Sequence, residues 1–342
     1  MTLATATMPA AVYRRPGELD VTEVPLPELG PHDALVEVAY CGVCGTDLHM
    51  VLDGWGTPDT ILGHEWSGRV AAAGAQARID EGAAVVGRGW TECGRCRHCH
   101  QGQPGLCVQR PLAGIDDGHS GAFARYLVAD YRNLTAVPDA VGLREAAYAE
   151  PLAVAMHAIT QGSFQPGGSA MVFGCGPIGA AVVAVLIARG ADVTVVEPSE
   201  PRQELARRLG AAVRAADELE TPAHPGQVAA DAVGCVFETS GARQAAQAGL
   251  TQLAGGGTMV MVGTGMDYPK LDTSRMILNE LVVTGAYEYD PDGLPAALEL
   301  IASGALPMDI LLEPDPVGLD GILDIMGRLR SGEVAGKVLV QP

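Results

Sequence analysis

A short apolar run, Ser169-Ala-Met-Val-Phe, enters Gly174-Cys-Gly176-Pro177-Ile178-Gly179, and a long Ala/Val/Leu helical pattern leaves it. Strand, tight turn and helix in that order commit this part of the chain to an α/β unit built on a buried parallel sheet. Gly174 permits the turn, Gly176 lets the backbone approach a pyrophosphate, and Gly179 allows the helix to lie close on the strand. The helix start, with Pro177 and Ile178 in its first turn, offers amide donors to an anion. Alone this spacing is weak. A second strand, Asp192-Val-Thr-Val-Val-Glu197, strengthens it by ending in an acid about 20 residues on, where a ribose 2′-hydroxyl needs an acceptor. A carboxylate there also opposes the extra phosphate of NADP, by about 1 to 4 kcal/mol per charge pair at about 4 Å. NAD is therefore the expected dinucleotide. Ser199 and Arg202, just beyond, keep NADP open, because both are able to grip a 2′-phosphate.

The pattern around this unit divides the chain. Residues 152–286 alternate apolar strands with Ala/Leu/Arg helices, at 170–173, 180–189, 192–197, 201–209, 233–238, 242–253, 258–262 and 281–285, which predicts a doubly wound parallel sheet. Thr239, Ser240 and Val262 end later strands, at the edge where ligands sit in such sheets. Residues 1–151 are rich in short alternating strands, Gly and Pro, and predict a partly open β-barrel. Residues 287–342 are expected to return to that first domain. The apolar stretch at 170–188 passes a crude membrane window, but Pro177 and three glycines make the nucleotide turn the better explanation.

Two groups of residues carry ligand chemistry. Cys93, Cys96, Cys99 and Cys107 place four thiols within fifteen residues, with Gly94, Gly102, Pro104 and Gly105 to fold the loop back on itself. One tetrahedral zinc with no open position suits them; paired disulfides would need an oxidising compartment, and Met1–Ala11 lacks the basic-then-apolar pattern of an export signal. Upstream, Cys41-Gly-Val-Cys44-Gly-Thr46-Asp47-Leu-His49 and Gly63-His64-Glu65-Trp66-Ser-Gly68 read as a second zinc site. Cys41, His64 and Glu65 supply one sulfur, one nitrogen and one oxygen, leaving a fourth position for water or substrate. Position 68 is Gly, so a protease H-E-x-x-H helix is excluded. Cys44 is expected to be an ordinary buried thiol.

These motifs, together with Glu150-Pro-Leu-Ala-Val-Ala-Met-His157, resemble the medium-chain zinc-dependent alcohol dehydrogenases over nearly the whole chain, and within them the polyol branch of sorbitol and butanediol dehydrogenases. The resemblance implies a GroES-like catalytic domain, two zinc ions per chain, and hydride transfer between an alcohol and a nicotinamide. Simple alcohol dehydrogenases usually have a cysteine ligand at the position of Glu150; the polyol enzymes have a glutamate near or on the metal. By the same resemblance Thr46 accepts the alcohol proton, His49 passes it to solvent, and Asp47 orients His64. Lys337 reaches the cofactor pyrophosphate, a surface position being its alternative. Thr46 and Asp47 otherwise cap the following turn.

Where polyol dehydrogenases often carry an arginine, this chain has Gly285-Ala-Tyr287-Glu288-Tyr289. Glu288 facing the pocket would suit an amino-polyol, amino sugar or aminocyclitol; pairing with a local arginine is the alternative. Trp55, Tyr287 and Tyr289 are expected to narrow the substrate cleft, core packing being the alternative for each. A formal charge of −19, from 41 acids against 22 bases, argues against nucleic acid or an anionic membrane as partner. A cytoplasmic enzyme acting on a small-molecule alcohol or ketone is the expectation, as a dimer or tetramer joined by analogy through the Val282–Gly285 edge. An NADP-dependent secondary-alcohol dehydrogenase and a non-catalytic zinc- and nucleotide-binding relative are the alternatives.

Overall fold

The computed structural model describes residues 7–109, 114–115, 121–265 and 267–342. An antiparallel hairpin of β1 (Thr7–Arg15) and β2 (Glu18–Pro25) opens the chain. It is followed by β3 (Asp33–Gly42), β4 (Glu65–Ala73), β5 (Ala84–Gly87), β6 (Tyr126–Asp130) and β7 (Leu134–Ala136). The nucleotide unit supplies β8 (Ser169–Phe173), β9 (Asp192–Val196), β10 (Ala212–Arg214), β11 (Val233–Glu238), β12 (Leu253–Met261) and β13 (Val282–Gly285). A last strand, β14 (Leu339–Val340), ends the order.

The second sheet runs β10-β9-β8-β11-β12-β13, parallel throughout, which is the doubly wound arrangement. Its helices start and stop within a few residues of the expected places. The edge strand β10 was not anticipated: three residues, of which Ala212 is exposed and Arg214 charged, carry no alternation to detect. Ligands bind such sheets at the strand ends beside the order switch between β8 and β11, so Gly174 and Thr239 fall there for topological reasons. The helix Pro177–Ala188 is apolar on every face, and Gly179 to Leu186 are all buried. It packs against Ala149–Gln161 as well as the sheet, so each fully covered Val or Leu contributes about 1.5–3 kcal/mol.

The first sheet runs β14-β3-β4-β5-β7, with β6 on β3 as well. Its antiparallel strands curl into a half-barrel. The register sets Cys41 opposite Trp66 and Gly42 opposite Glu65, while β14 pairs Leu339 with Gly42 and Val340 with Cys41. The C-terminal segment therefore reaches the end of β3, beside the start of β4. Leu294, Ala297, Leu298 and Ile301 of the helix Gly293–Ala302 share a core with Ala149–Gln161 and Pro177–Ala188, while Leu319, Ile322, Met326 and Val338 join the half-barrel core. Among the described residues no helix is long and apolar enough to cross a membrane.

Candidate active site

The helix Gly45–Leu52 starts where β3 ends, and Cys44 is its N-cap residue. Cys44 Sγ, a His64 ring nitrogen and a Glu65 carboxylate oxygen all lie within 4.8 Å of one another. Cys41 is not in this group. Its side chain is fully buried in the half-barrel core, and a Cβ on Gly63 would meet its sulfur at 2.9 Å. The ligand expected at Cys41 is thus corrected to Cys44: β3 turns the one sulfur into the core, and the helix start presents the other to the cleft. The signal available in the sequence was position, since Cys44 immediately precedes the Gly-Thr-Asp turn.

The residues fit a bound divalent cation on electrostatic grounds. Burial, then the Glu65 charge, pushes the Cys44 thiol up. Burial also raises the Asp47 carboxyl, against the attraction of His64. Glu150, half-buried at the first turn of Ala149–Gln161, is pushed up to about 8 by burial and by Glu65 beside it, with Glu288 adding to the effect. A cation among these acids would offset the cost of gathering them. Asp47 Oδ2 accepts the Cys44 N–H at 2.9 Å, and its Oδ1 faces His64 Nδ1 at 3.7 Å, too far for a hydrogen bond.

Glu65 has another partner. Lys337 Nζ donates to Glu65 Oε1 at 2.7 Å, to Oε2 at 2.5 Å and to the Val43 carbonyl at 3.2 Å. Lys337 is 1 % exposed and does not line the cleft. Its expected place at a pyrophosphate is corrected: all three ammonium protons are committed behind the ligand loop. Gly42 makes this possible, because a Cβ there would stand 2.2 Å from Glu65 Oε2 and 3.2 Å from Lys337 Cδ.

One cleft of about 770 Å³ joins this centre to the nucleotide turn. Cys44, Gly45 and His49 line one part; Gly174, Gly176, Pro177, Thr239 and Ser240 the next; Glu197 and Arg202 the far part. Gly174 has φ +88°, and the Thr239 hydroxyl donates to the Phe173 and Gly174 carbonyls at 3.0 Å each. Gly179 lies beneath, where a Cβ would sit 2.2 Å from the Gly174 carbonyl oxygen. Glu197 accepts from the Cys175 and Ser199 amides at 2.7 and 2.9 Å. Arg202 donates to the Leu329 carbonyl at 2.6 Å. Ile178, Val262 and Thr46 are half-buried and do not line this cleft; Val262 packs on the core instead. Leu48, Gln203, Ala215, Ala216 and Arg330 do line it and were not anticipated, since no motif marks them.

Trp55 and Tyr287, expected in the substrate pocket, are 40 % and 53 % exposed and lie outside the cleft lining. Trp55 stacks on His49, ring centroids 4.6 Å apart. Glu288 has φ +59°, accepts the Trp90 indole N–H at 3.0 Å, and rests its Cβ 3.6 Å from where a Cβ of Gly105 would be. It therefore sits between the cysteine lobe and the first turn of Ala149–Gln161.

The lobe itself gathers Cys93, Cys96, Cys99 and Cys107 with every sulfur within 4.8 Å of the others, and Cys96 and Cys99 3.5 Å apart. Tetrahedral zinc at about 2.3 Å from each sulfur needs sulfurs about 3.8 Å apart, so the set fits. None of the chain's cysteines forms a disulfide. Backbone amides donate to the sulfurs: that of Cys99 is the main cause holding Cys96 down to about 6, and that of Arg95 is the main cause lowering Cys93. Burial, then neighbouring thiols, pushes Cys99 up to about 12. Left-handed φ at Gly94 and Gly102 turns the loop as their spacing suggests.

Comparison with known proteins gives the same picture. The family model for the alcohol dehydrogenase GroES-like domain matches residues 30–139, and that for zinc-binding dehydrogenase matches residues 177–303. The chain is 36 % identical to 2-dehydro-3-deoxy-L-galactonate 5-dehydrogenase of Pseudoalteromonas atlantica, over 79 % of this chain and 80 % of that protein. It is 30 % identical to sorbitol dehydrogenase of Bacillus subtilis, over 98 % and 97 %. Among solved structures, a zinc-binding dehydrogenase of Sinorhizobium meliloti bound to NADP superposes with a TM-score of 0.87 at 28 % identity, over 99 % of this chain and 100 % of that one.

Proposed function

The chain belongs to the zinc-dependent medium-chain alcohol dehydrogenases, in their polyol branch, and from that membership we propose that it oxidises a secondary alcohol or polyol to the ketone, with NAD as hydride acceptor. One observation carries the reading: Cys44, grouped with His64 and Glu65, lines the same cleft as the glycine turn and Glu197. Zinc held by those three would act as the Lewis acid that makes the alcohol hydroxyl acidic near neutral pH. The chain's own residues do the rest. Thr46, in the first turn beside Gly45, takes the alcohol proton, and His49 hands it on to water. Asp47 holds the Cys44 amide in place and sets its charge beside the His64 ring. Glu150 stands by as a further oxygen donor. The four-cysteine lobe takes a second, structural zinc.

NAD is preferred because Glu197 already spends its carboxylate on two amides at the ribose end of the cleft, and a 2′-phosphate would meet its charge. A second reading of the substrate, an amine-bearing polyol, is favoured by the Glu150 and Glu288 carboxylates being near enough to influence one another. The oligomer is read at the β13 edge, where Val282 is exposed, and the compartment as the reducing cytoplasm that free cysteines suit.

The deciding experiment follows formation of reduced nicotinamide on a panel of neutral polyols, amino-polyols and secondary alcohols, with NAD or NADP, before and after zinc removal. Zinc-dependent NAD reduction by one group supports the reading. Bound zinc and nucleotide without turnover of any pair would sink it in favour of a non-catalytic relative.

A further inference from the structure

The helix Gly45–Leu52 closes on an acid. The Asp53 N–H donates to the His49 carbonyl at 3.2 Å, which ends the helix and sets Asp53 Oδ2 2.6 Å from His49 Nδ1. The indole of Trp55 covers one face of the imidazole at an interplanar angle of 15°. Arg330, in the last turn of Ile322–Ser331, donates through both terminal nitrogens to the two Asp53 oxygens, at 3.0 Å each, and to the Leu48 carbonyl at 3.4 Å. His49 and Arg330 both line the cleft that holds Cys44 and Gly174.

An ionised carboxylate only accepts hydrogen bonds, so a neutral His49 on Asp53 carries its proton on Nδ1 and leaves Nε2 with a free lone pair. Arg330 keeps the acid ionised: its hydrogen bonds, then that of His49, hold the Asp53 carboxyl below the usual carboxylate range. Among the described residues Asp53 pairs with the ring and Arg330 pairs with Asp53 behind it. As a half-exposed ion pair the Arg330–Asp53 contact contributes little to stability, whereas its fork geometry fixes where the carboxylate points.

We infer that Asp53 is a positioning residue for proton release: it locks His49 in the Nδ1–H tautomer, stacked under Trp55, so that Nε2 accepts the proton leaving the cleft, with Arg330 anchoring Asp53. The inference rests on the proposed alcohol oxidation. In that reaction the alcohol carbon gives hydride to the nicotinamide, its hydroxyl proton arrives at Nε2, and Nε2 passes that proton to water while the Nδ1 proton stays on the ring, hydrogen-bonded to Asp53. The arrangement has the logic of a carboxylate–histidine pair in which the acid orients and does not itself take the proton.

Two measurements on the zinc-loaded full chain test it. The ring ¹⁵N shifts of His49, assigned by comparison with H49Q, are recorded at about pH 8, above the ordinary histidine range. Wild type is expected to show a proton on Nδ1 and none on Nε2, and D53N to lose that preference. In the second, 2,3-butanediol and sorbitol are oxidised with NAD: D53A and D53N lower kcat about tenfold or more with the KM for NAD within about twofold, and adding D53A to H49A changes nothing further. A wild-type proton on Nε2, or an equal loss from D53A with and without His49, would overturn the inference. If wild type oxidises neither alcohol, the alcohol-oxidation reading fails on its own, and the ring shifts still decide whether Asp53 positions His49.

Discussion

Lys337 clasps both carboxylate oxygens of Glu65 in a pocket that solvent does not reach, with side-chain exposures of 1 % and 0 %. A buried ion pair adds little net stability when intact, but removing one partner strands a charge. K337M is therefore expected to lower the unfolding free energy of chelator-treated protein by about 3–5 kcal/mol, and E65Q/K337M to recover part of that loss. Urea midpoints of the two variants check it; a K337M curve overlying wild type would show that Glu65 has another counter-charge.

Cys44 and Cys41 separate cleanly by metal content. Replacing Cys44 with serine is expected to leave about one zinc per chain in place of two and to abolish hydride transfer, because one of three donors is lost. C41S keeps both metals and costs only the packing and desolvation of a buried thiol turned hydroxyl, about 1–3 kcal/mol. Elemental analysis with a thermal melt distinguishes the two, and metal loss from C41S alone would reverse the assignment.

Glu197 predicts a change in cofactor choice. Removing its carboxylate in E197A takes away both the ribose acceptor and the charge opposed to a 2′-phosphate, so kcat/KM for NAD should fall about tenfold and that for NADP should rise. Steady-state kinetics with both cofactors tests this. An unchanged ratio would mean that Arg202 or Ser199 governs the choice.

Gly179 predicts a steric effect. A methyl there meets the Gly174 carbonyl at 2.2 Å and the Thr239 hydroxyl at 2.7 Å, backbone and short side chain that have nowhere to retreat. G179A is expected to cost about 1–3 kcal/mol of stability and to weaken NAD binding in a calorimetric titration, by pushing the helix start off the turn. Wild-type affinity in G179A would place the nucleotide away from this turn.

The residues legible in sequence were those whose chemistry is local. Gly174, Gly176 and Gly179 announce a turn because backbone geometry requires glycine there, and the cysteine lobe announces itself because its four sulfurs are close along the chain. Cys41 and Cys44 are three residues apart and chemically identical; only the end of β3 and the start of the next helix decide which sulfur faces the cleft. Lys337 was legible as a basic residue near the end of the fold, but not as a buried one, because its partner lies 272 residues away. Asp53 and Arg330 are 277 residues apart and belong to no motif; their meeting is a product of how Ile322–Ser331 packs on the half-barrel.

The β14–β3 pairing carries a consequence for biosynthesis. A chain emerging from its N-terminus exposes Cys44, His64 and Glu65 early, but the ammonium that neutralises Glu65 is translated 272 residues later. Throughout that interval Glu65 lacks its Lys337 partner, so zinc loading and completion of the polypeptide become competing events at one carboxylate. Ribosome-arrested chains stopped before Lys337 should hold zinc with a different affinity from the finished protein, a difference measurable by competition with a chelating dye.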